Sequence, residues 1–361
     1  MYRWTTIKRF SSTVTVKPTP SKTHLHQPIP SATFPSGYVL TGLHAGVKKN
    51  ASAYDVGLIL STSDRPTSAA ACFTKNVFKA APVLVSEHIL TKNGGRARAV
   101  VVNSGCANAV TGKQGMEDAW AMVKETDALL AKQGKGEGEH ETLVMSTGVI
   151  GQTLPISKIL SAIRSQQHQS PSSSLESDFK AWERTAHAFM TTDTFPKLRA
   201  KTFSIRGQEY SLAGMDKGAG MIHPDMGPPR PASAQLHATL LGCILTDAPV
   251  SPPSLQKALT YAVERSFNSI SVDGDMSTND TIIVLANGAK GDGKEIDEME
   301  DKEAYEIFKQ ELTEFAIDLA KLVVRDGEGA TKFVTVNVKV CAIFPQQERF
   351  TDILSAGRTI L

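Results

Sequence analysis

The chain has 361 residues, of which 41% are hydrophobic, and a formal net charge of +2. This composition predicts a soluble globular protein with two domains or two lobes, and the near-neutral charge without a dense Lys/Arg run excludes an evident nucleic-acid-binding role. No apolar run is long enough to span a bilayer, and the four cysteines lack the spacing of a disulfide framework or a zinc site.

The N-terminal segment, residues 1–22, is basic, rich in hydroxyl side chains and free of acids, and the first acidic residue of the chain is Asp55. Such a composition is typical of a mitochondrial transit peptide and differs from a secretory signal, which has an apolar core. We therefore expect the protein in the mitochondrial matrix. The alternative is an ordinary disordered tail.

The first half of the remaining chain alternates predicted strands with predicted helices. Short apolar runs predict strands at residues 56–60, 69–73, 81–85, 99–103 and 142–146. One-sided apolar patterns predict helices at residues 116–132, 155–164 and 177–190. Thr147 and Gly148 follow the last of these strands, where a hydroxyl and a backbone amide together suit an oxyanion hole. A tight turn uses the same residue types.

The second half continues the alternation. A hairpin is predicted over residues 202–205 and 209–212, strands over 239–246, 281–286 and 333–340, and helices over 254–267 and 303–324. Strands and helices thus alternate in both halves, which predicts an α/β protein. Asp273, Asp275 and Asn279 resemble part of a calcium loop, but the glycine and closing glutamate are missing, so no metal site is expected.

Thr239 stands where a loop rich in proline and small polar residues meets an apolar strand. Cleavage of the bond between Ala238 and Thr239 would give this threonine a free α-amine, which titrates near about 7.7 to 8. The amine could then act as the general base for the adjacent hydroxyl, which makes Thr239 a candidate N-terminal nucleophile. The alternative is a threonine that only begins a strand.

Seven stretches in order resemble the ornithine acetyltransferase family of arginine biosynthesis, the glutamate N-acetyltransferases, in its fungal mitochondrial form. The resemblance extends from about residue 37 to residue 336. The stretches are NSGCANAVTG, STGVIGQ, MTTDTFPK, MDKGAGMIHPDM, ATLLGCILTDA, SVDGDMSTNDT and DGEGATK. Each would be weak alone, but together they are specific to this family.

The resemblance implies a two-lobed α/β sandwich that cleaves itself between Ala238 and Thr239. The α chain, residues 23–238, would form the N-terminal lobe and the β chain, residues 239–361, the C-terminal lobe, with a heterotetramer as the expected assembly. The implied reaction transfers acetyl from N2-acetylornithine through an acetyl-threonine to glutamate, and some members also accept acetyl-CoA. No cofactor is implied.

Site residues also follow from the resemblance. Thr239 matches the nucleophile, and Thr147 and Gly148 match the oxyanion hole. Thr191, Lys217, Thr239 and Glu328 match the substrate-binding positions. A cation at Lys217 suits a substrate carboxylate, and the carboxylate of Glu328 suits the ammonium of ornithine or glutamate.

The sequence departs from the family pattern at two places, and other interpretations of its function therefore stay open. Residues 227–237 are an insertion before the cleavage site, which a loop tolerates at small thermodynamic cost. After Val336 the sequence is expected to leave the family pattern, as in a truncated chain. The competing interpretations are a self-cleaving amidase or aminopeptidase, in which water takes the acyl group, and an inactive truncated paralogue.

Overall fold

The computed structural model describes residues 21–132, 140–167, 173–229 and 240–337. Most of the predicted transit peptide, the cleavage residues Ala238 and Thr239, and the chain beyond residue 337 lie outside them. The strands are β1 Tyr38–Leu43, β2 Val56–Ser61, β3 Ser68–Thr74, β4 Ala99–Cys106, β5 Thr142–Val149, β6 Lys197–Ile205, β7 Gln208–Lys217, β8 Met226–Gly227, β9 Leu241–Thr246 and β10 Thr281–Ala286. The helices are α1 Ala81–Lys92, α2 Gly112–Lys132, α3 Ile156–Arg164, α4 Phe179–Phe189, α5 Pro252–Arg265 and α6 Lys302–Arg325.

A four-stranded sheet has the order β1-β2-β4-β5. β1 and β2 are antiparallel, as are β2 and β4, whereas β4 and β5 are parallel. Every residue of β2 is buried, because helices or the second sheet cover both faces. The parallel pair brings the ends of β4 and β5 to the same edge, which places Gly105 opposite Gly148.

A six-stranded sheet has the order β6-β7-β9-β10-β3-β8. Its central strands β9 and β10 follow residue 239, while their outer neighbours β7 and β3 precede it. The segments before and after residue 239 are therefore interleaved in one sheet. The boundary between the two sheets does not coincide with the expected cleavage point.

Helices complete the layers. α2 and α3 pack against the four-stranded sheet, α4 contacts both sheets, and α5 and α6 pack together over the outer face of the six-stranded sheet. Side chains of β9 alternate between the two cores: Cys243 faces the core between the sheets, and Ile244 faces α5 and α6. The predicted α/β fold is confirmed. Of the described helices, none has the length and apolarity to cross a membrane.

The predicted strand at residues 81–85 is wrong, because this segment is the start of α1. Its apolar run is typical of a strand, but Pro82 occupies the first helical turn, where its missing N–H costs nothing. Pro82, Val85, Ser86 and Ile89 are all buried, and their spacing is that of a helix face.

The predicted strand at residues 333–340 is not formed over its described part, residues 333–337. Val334 and Val336 alternate with polar residues as in a strand, but they are 62% and 43% exposed. Alternation specifies a strand where one face is buried, and here neither valine is covered.

Candidate active site

Seven segments line a cavity of about 690 Å³. They are the loop between β1 and β2, the end of β4, the end of β5, the loop after α4, the loop after β7, the loop before β10 and the segment after α6. Three of the predicted site residues, Gly148, Thr191 and Glu328, line it together. Thr147 and Lys217 are fully buried and are absent from the cavity wall itself.

The cavity wall at the ends of β4 and β5 consists of closely approaching glycine backbones. Gly148 has a φ of 125°, and a Cβ at this position would lie 2.4 Å from the carbonyl carbon of Gly105. Gly105 itself has a φ of 110°. Only glycine fits both positions, and the backbone there is consequently open to a ligand.

Thr147 and Lys217 form a buried polar pair next to Gly148. The Nζ atom of Lys217 donates a hydrogen bond of 3.3 Å to Oγ1 of Thr147. Burial lowers the pKa of Lys217, although the charge of Asp193 favours its protonated form. Because the lysine donates to the hydroxyl oxygen, the proton of that hydroxyl remains available for another acceptor.

A buried ion cluster joins the segments that carry the predicted site residues. Lys197 Nζ donates to Asp193 Oδ1 at 2.6 Å and to Asp326 Oδ2 at 2.7 Å, and all three side chains are fully buried. Burial alone would raise the pKa of Asp193, but the charges of Lys197 and Lys217 hold it well below its ordinary value. Asp193 Oδ1 also accepts from the backbone N–H of Gly218 at 2.8 Å.

This cluster fixes Thr191, Lys217 and Glu328 relative to one another. The backbone N–H of Thr191 donates to Asp193 at 2.9 Å, Gly218 follows Lys217, and Asp326 lies two residues before Glu328. Asp193 and Lys197 belong to the stretch MTTDTFPK of the family resemblance, but nothing in the sequence links them to Asp326.

Replacing Lys197 by methionine is expected to lower the free energy of unfolding by about 3 to 5 kcal/mol, because two buried carboxylates lose their cation. Lys201→Met, on the same strand, is the matched control: its ion pair with Glu311 is partly exposed and is worth at most about 1 kcal/mol. Thermal and urea unfolding measure both. Equal losses in the two variants would contradict the assignment.

The pH dependence of the same pair of variants is a second readout. The pKa of Asp193 is lowered in the folded protein, so its ion pair contributes fully above the unfolded value of about 3.9 and is lost as the pH falls. The difference in the free energy of unfolding between wild type and Lys197→Met should therefore become smaller at acidic pH.

Glu328 and Gly220 form one side of the cavity. The backbone N–H of Glu328 donates to the carbonyl of Ala219 at 2.7 Å, and its carboxylate lies 2.8 Å from where a Cβ on Gly220 would stand. The side chain is exposed to the cavity side of the molecule. A negative charge is thus held in the lining of the same cavity as the glycine backbones of β4 and β5.

The strand that follows the expected cleavage site is anchored at its first described residue. Leu240 is buried, its N–H donates to Asp280 Oδ1 at 2.7 Å, and its carbonyl accepts from Thr281 at 3.0 Å. The charge of Asp280 also acts on Lys217, where it favours the protonated form. Thr239, bonded to Leu240 in the chain, belongs to the undescribed residues, as does Ala238.

Asn279 connects this strand to the oxyanion candidates. Its amide nitrogen donates to the carbonyls of Ala107 and Ser146, each at 2.7 Å, and Ser146 immediately precedes Thr147. The sequence indicated only a partial calcium loop here. The amide instead ties the end of β5 to the start of β10.

The remaining acids of that partial calcium loop support the backbone. Asp273 accepts from the N–H groups of Met221 and Ile222, at 2.5 and 2.9 Å, and so holds the turn after β7, in which Met221 has a φ of 58°. Within the described ranges, no group of three or more His, Cys, Asp or Glu side chains is arranged for a metal ion.

Comparisons with known proteins identify relatives that match between 54% and 92% of the chain. A protein from Coprinopsis cinerea named arginine biosynthesis bifunctional protein ArgJ, mitochondrial, is 74% identical over 92% of this chain and 70% of its own length. The solved ArgJ protein of Bacillus halodurans is 35% identical, covering 54% of this chain and 93% of that chain, with a TM-score of 0.48. The ornithine acetyltransferase of Mycobacterium tuberculosis, solved with ornithine, is 34% identical. The match covers 55% of this chain and 96% of that chain, with a TM-score of 0.46.

Because both TM-scores are below 0.5, the assignment depends on the sequence matches. The name of the Coprinopsis relative confirms the predicted mitochondrial location. The family model described as the ArgJ family matches residues 39–351, which extends beyond Val336, where the resemblance was expected to end. With a match over most of its length and a relative at 74% identity, the chain belongs to the ArgJ family.

Proposed function

We propose that this protein is a glutamate N-acetyltransferase of mitochondrial arginine biosynthesis, which transfers acetyl from N2-acetylornithine to glutamate through an acetyl group on Thr239. One observation carries the proposal: Thr147 and Lys217, which are joined by a hydrogen bond, lie next to a cavity lined by Gly148, Thr191 and Glu328. Membership of the ArgJ family supports it independently.

The nucleophile forms by self-cleavage. The hydroxyl of Thr239 attacks the carbonyl of Ala238, the acyl group moves from nitrogen to oxygen, and water hydrolyses the resulting ester. The products are an α chain ending in the carboxylate of Ala238 and a β chain beginning with the free amine of Thr239. The anchoring of Leu240, the residue after the new N-terminus, by Asp280 and Thr281 supports this step.

Acetyl transfer then proceeds in two matching halves. The neutral α-amine takes the hydroxyl proton of Thr239 as the oxygen attacks the acetyl carbonyl, and it returns the proton to the leaving N2 atom of ornithine. The amine of glutamate attacks the acetyl ester in the same way, and the proton returns to the hydroxyl of Thr239. Each half passes through an oxyanion that the hydroxyl of Thr147 and the amide of Gly148 stabilise.

Lys217 strengthens that oxyanion hole. Its donation to Oγ1 polarises the hydroxyl of Thr147, which makes the hydroxyl a better donor. The buried Lys217, next to Thr147, also provides positive charge that attracts a substrate carboxylate, and Glu328 in the cavity lining provides negative charge for an ammonium.

After cleavage the two chains would remain associated through the six-stranded sheet. β9 pairs with β7 over six residues on one side, and β10 pairs with β3 on the other. Separating the chains would expose the centre of this sheet. A heterotetramer of two such α/β pairs is the assembly we propose.

The transfer assay is the direct test. Incubation with N2-acetylornithine should release ornithine beyond one equivalent per active site only when glutamate is present, with one N-acetylglutamate formed per further ornithine. Acetyl-CoA takes the place of acetylornithine in a parallel reaction to test the second donor. Continuous release of ornithine over many turnovers without glutamate would identify an amidase instead, and a protein that remains one inactive chain would identify an inactive paralogue.

A further inference from the structure

Acidic side chains outnumber cationic ones in the described lining of the main cavity. Its described lining contains three acids, Asp273, Asp275 and Glu328, and a single cation, Lys48. If the proposed function holds, this site must accept two amino acids with opposite side-chain charges. The δ-ammonium of ornithine suits an acidic lining, but the γ-carboxylate of glutamate requires a cation.

The backbone of Lys48 is held rigidly in place. The buried carboxylate of Asp55 accepts N–H groups of Ala45, Val47 and Lys48 at 2.5, 2.7 and 3.0 Å, so the loop is wound around one side chain. The Nζ atom of Lys48 donates to the carbonyl of Tyr54 at 2.6 Å. An ammonium has three protons, and this contact with a neutral carbonyl occupies one of them.

Lys48 also lies between two cavities. A second cavity of about 520 Å³ shares Lys48 and Thr191 with the main one, and its other lining residues include Tyr54, His187 and Met190. No acid belongs to its described lining. A carboxylate directed towards this junction would therefore meet the ammonium and avoid the three carboxylates of the main cavity.

We infer that Lys48 is a specificity-determining residue for the acceptor, and that it binds the γ-carboxylate of glutamate at the junction of the two cavities. This inference rests on the proposed function and names the group that recognises its second substrate.

The electrostatic surroundings agree with this role. Burial lowers the pKa of Lys48 to about 8, with Asp55 and Asp193 favouring the charged form and Lys217 opposing it. Burial also lowers the pKa of the nearby His187, which favours its neutral ring. A partly desolvated ammonium attracts a carboxylate more strongly than a hydrated surface lysine does.

Lys48→Met tests the inference by separating the two half-reactions. We expect the KM for glutamate to rise by about ten- to a hundredfold, the effect of losing a hydrogen bond to a charged group. Acetylation of Thr239 by N2-acetylornithine, followed by intact mass and the burst of ornithine without acceptor, should change far less. That burst also shows whether the variant has folded and cleaved.

Glutamine is the most specific probe, because it differs from glutamate only in lacking the γ charge. The wild-type enzyme should prefer glutamate strongly, Lys48→Met should lose most of that preference, and Lys48→Arg should keep it. Lys49→Met is the control, since Lys49 is the exposed neighbour and does not line either cavity.

Three results would overturn the inference. One is an unchanged glutamate KM and an unchanged preference over glutamine in Lys48→Met. Another is an acetylation burst that falls as much as the transfer, which would indicate a general structural role. A wild-type protein that forms acetyl-enzyme but ignores glutamate would also overturn it, whereas failure to release any ornithine would contradict the proposed function first.

Discussion

Thr239→Ala should leave the chain uncleaved and abolish acetyl transfer. Both processes depend on the same hydroxyl, first as the attacking group on the carbonyl of Ala238 and then as the carrier of acetyl. Losing a covalent nucleophile costs on the order of 10⁶ in kcat in comparable acyl-transfer enzymes. A denaturing gel and an intact-mass measurement report cleavage, and ornithine release reports the transfer.

Thr239→Ser is the matched control for that experiment. It keeps a hydroxyl and, after cleavage, an α-amine, so it should still cleave and transfer acetyl at a reduced rate. The mass of its β chain should begin at residue 239. Two chains persisting in Thr239→Ala, or acetyl bound to another residue in wild type, would contradict the assignment of this threonine.

Much of the fold could be predicted from local patterns. The apolar runs at β2, β3, β9 and β10 are strands as expected, because they are short, rich in β-branched or small residues and bounded by polar loops. The strand predicted at residues 81–85 is wrong because this segment belongs to the buried helix α1. Its residues are equally apolar, but packing on several sides hides the helical period that a one-sided helix would display.

Some residues of the candidate site could also be predicted from the sequence, and others could not. Gly148, Thr191 and Glu328 come from separate stretches of sequence, and only the resemblance to a family suggested that they share a cavity. Nothing in the sequence linked Asp193 and Lys197 to Asp326, because Asp326 lies 129 residues from Lys197 along the chain. Long-range ion pairs of this kind are set by topology.

A buried acid in β7 is a further feature that the sequence does not predict. Asp216 precedes Lys217 and is fully buried, and its carboxylate oxygens receive no hydrogen bond from the described part of the chain. Burial raises the pKa of Asp216 well above its ordinary value. Sequence alone would place such a residue at the surface. Burial thus outweighs the charges of Lys197 and Arg199, which favour the ionised carboxylate.

Replacing Thr147 by valine should reduce kcat by about 10² to 10³, the usual effect of losing one oxyanion-hole donor. Valine has nearly the same shape, so the buried position stays filled. The variant loses the hydroxyl proton and also the oxygen that accepts from Lys217 Nζ at 3.3 Å. Both half-reactions pass through an oxyanion, so acetylation by N2-acetylornithine and transfer to glutamate should slow by similar factors.

Thr147→Ser separates the hydrogen bond from the packing, since it keeps the hydroxyl and removes only the methyl group. It should retain most of the wild-type kcat in material that is fully cleaved by mass. Both KM values should change little in Thr147→Val, because the donor acts on charge that develops in the transition state. A variant with normal kcat and a raised KM would assign Thr147 to ground-state binding, and the oxyanion role would then have to move to Gly148 and another donor.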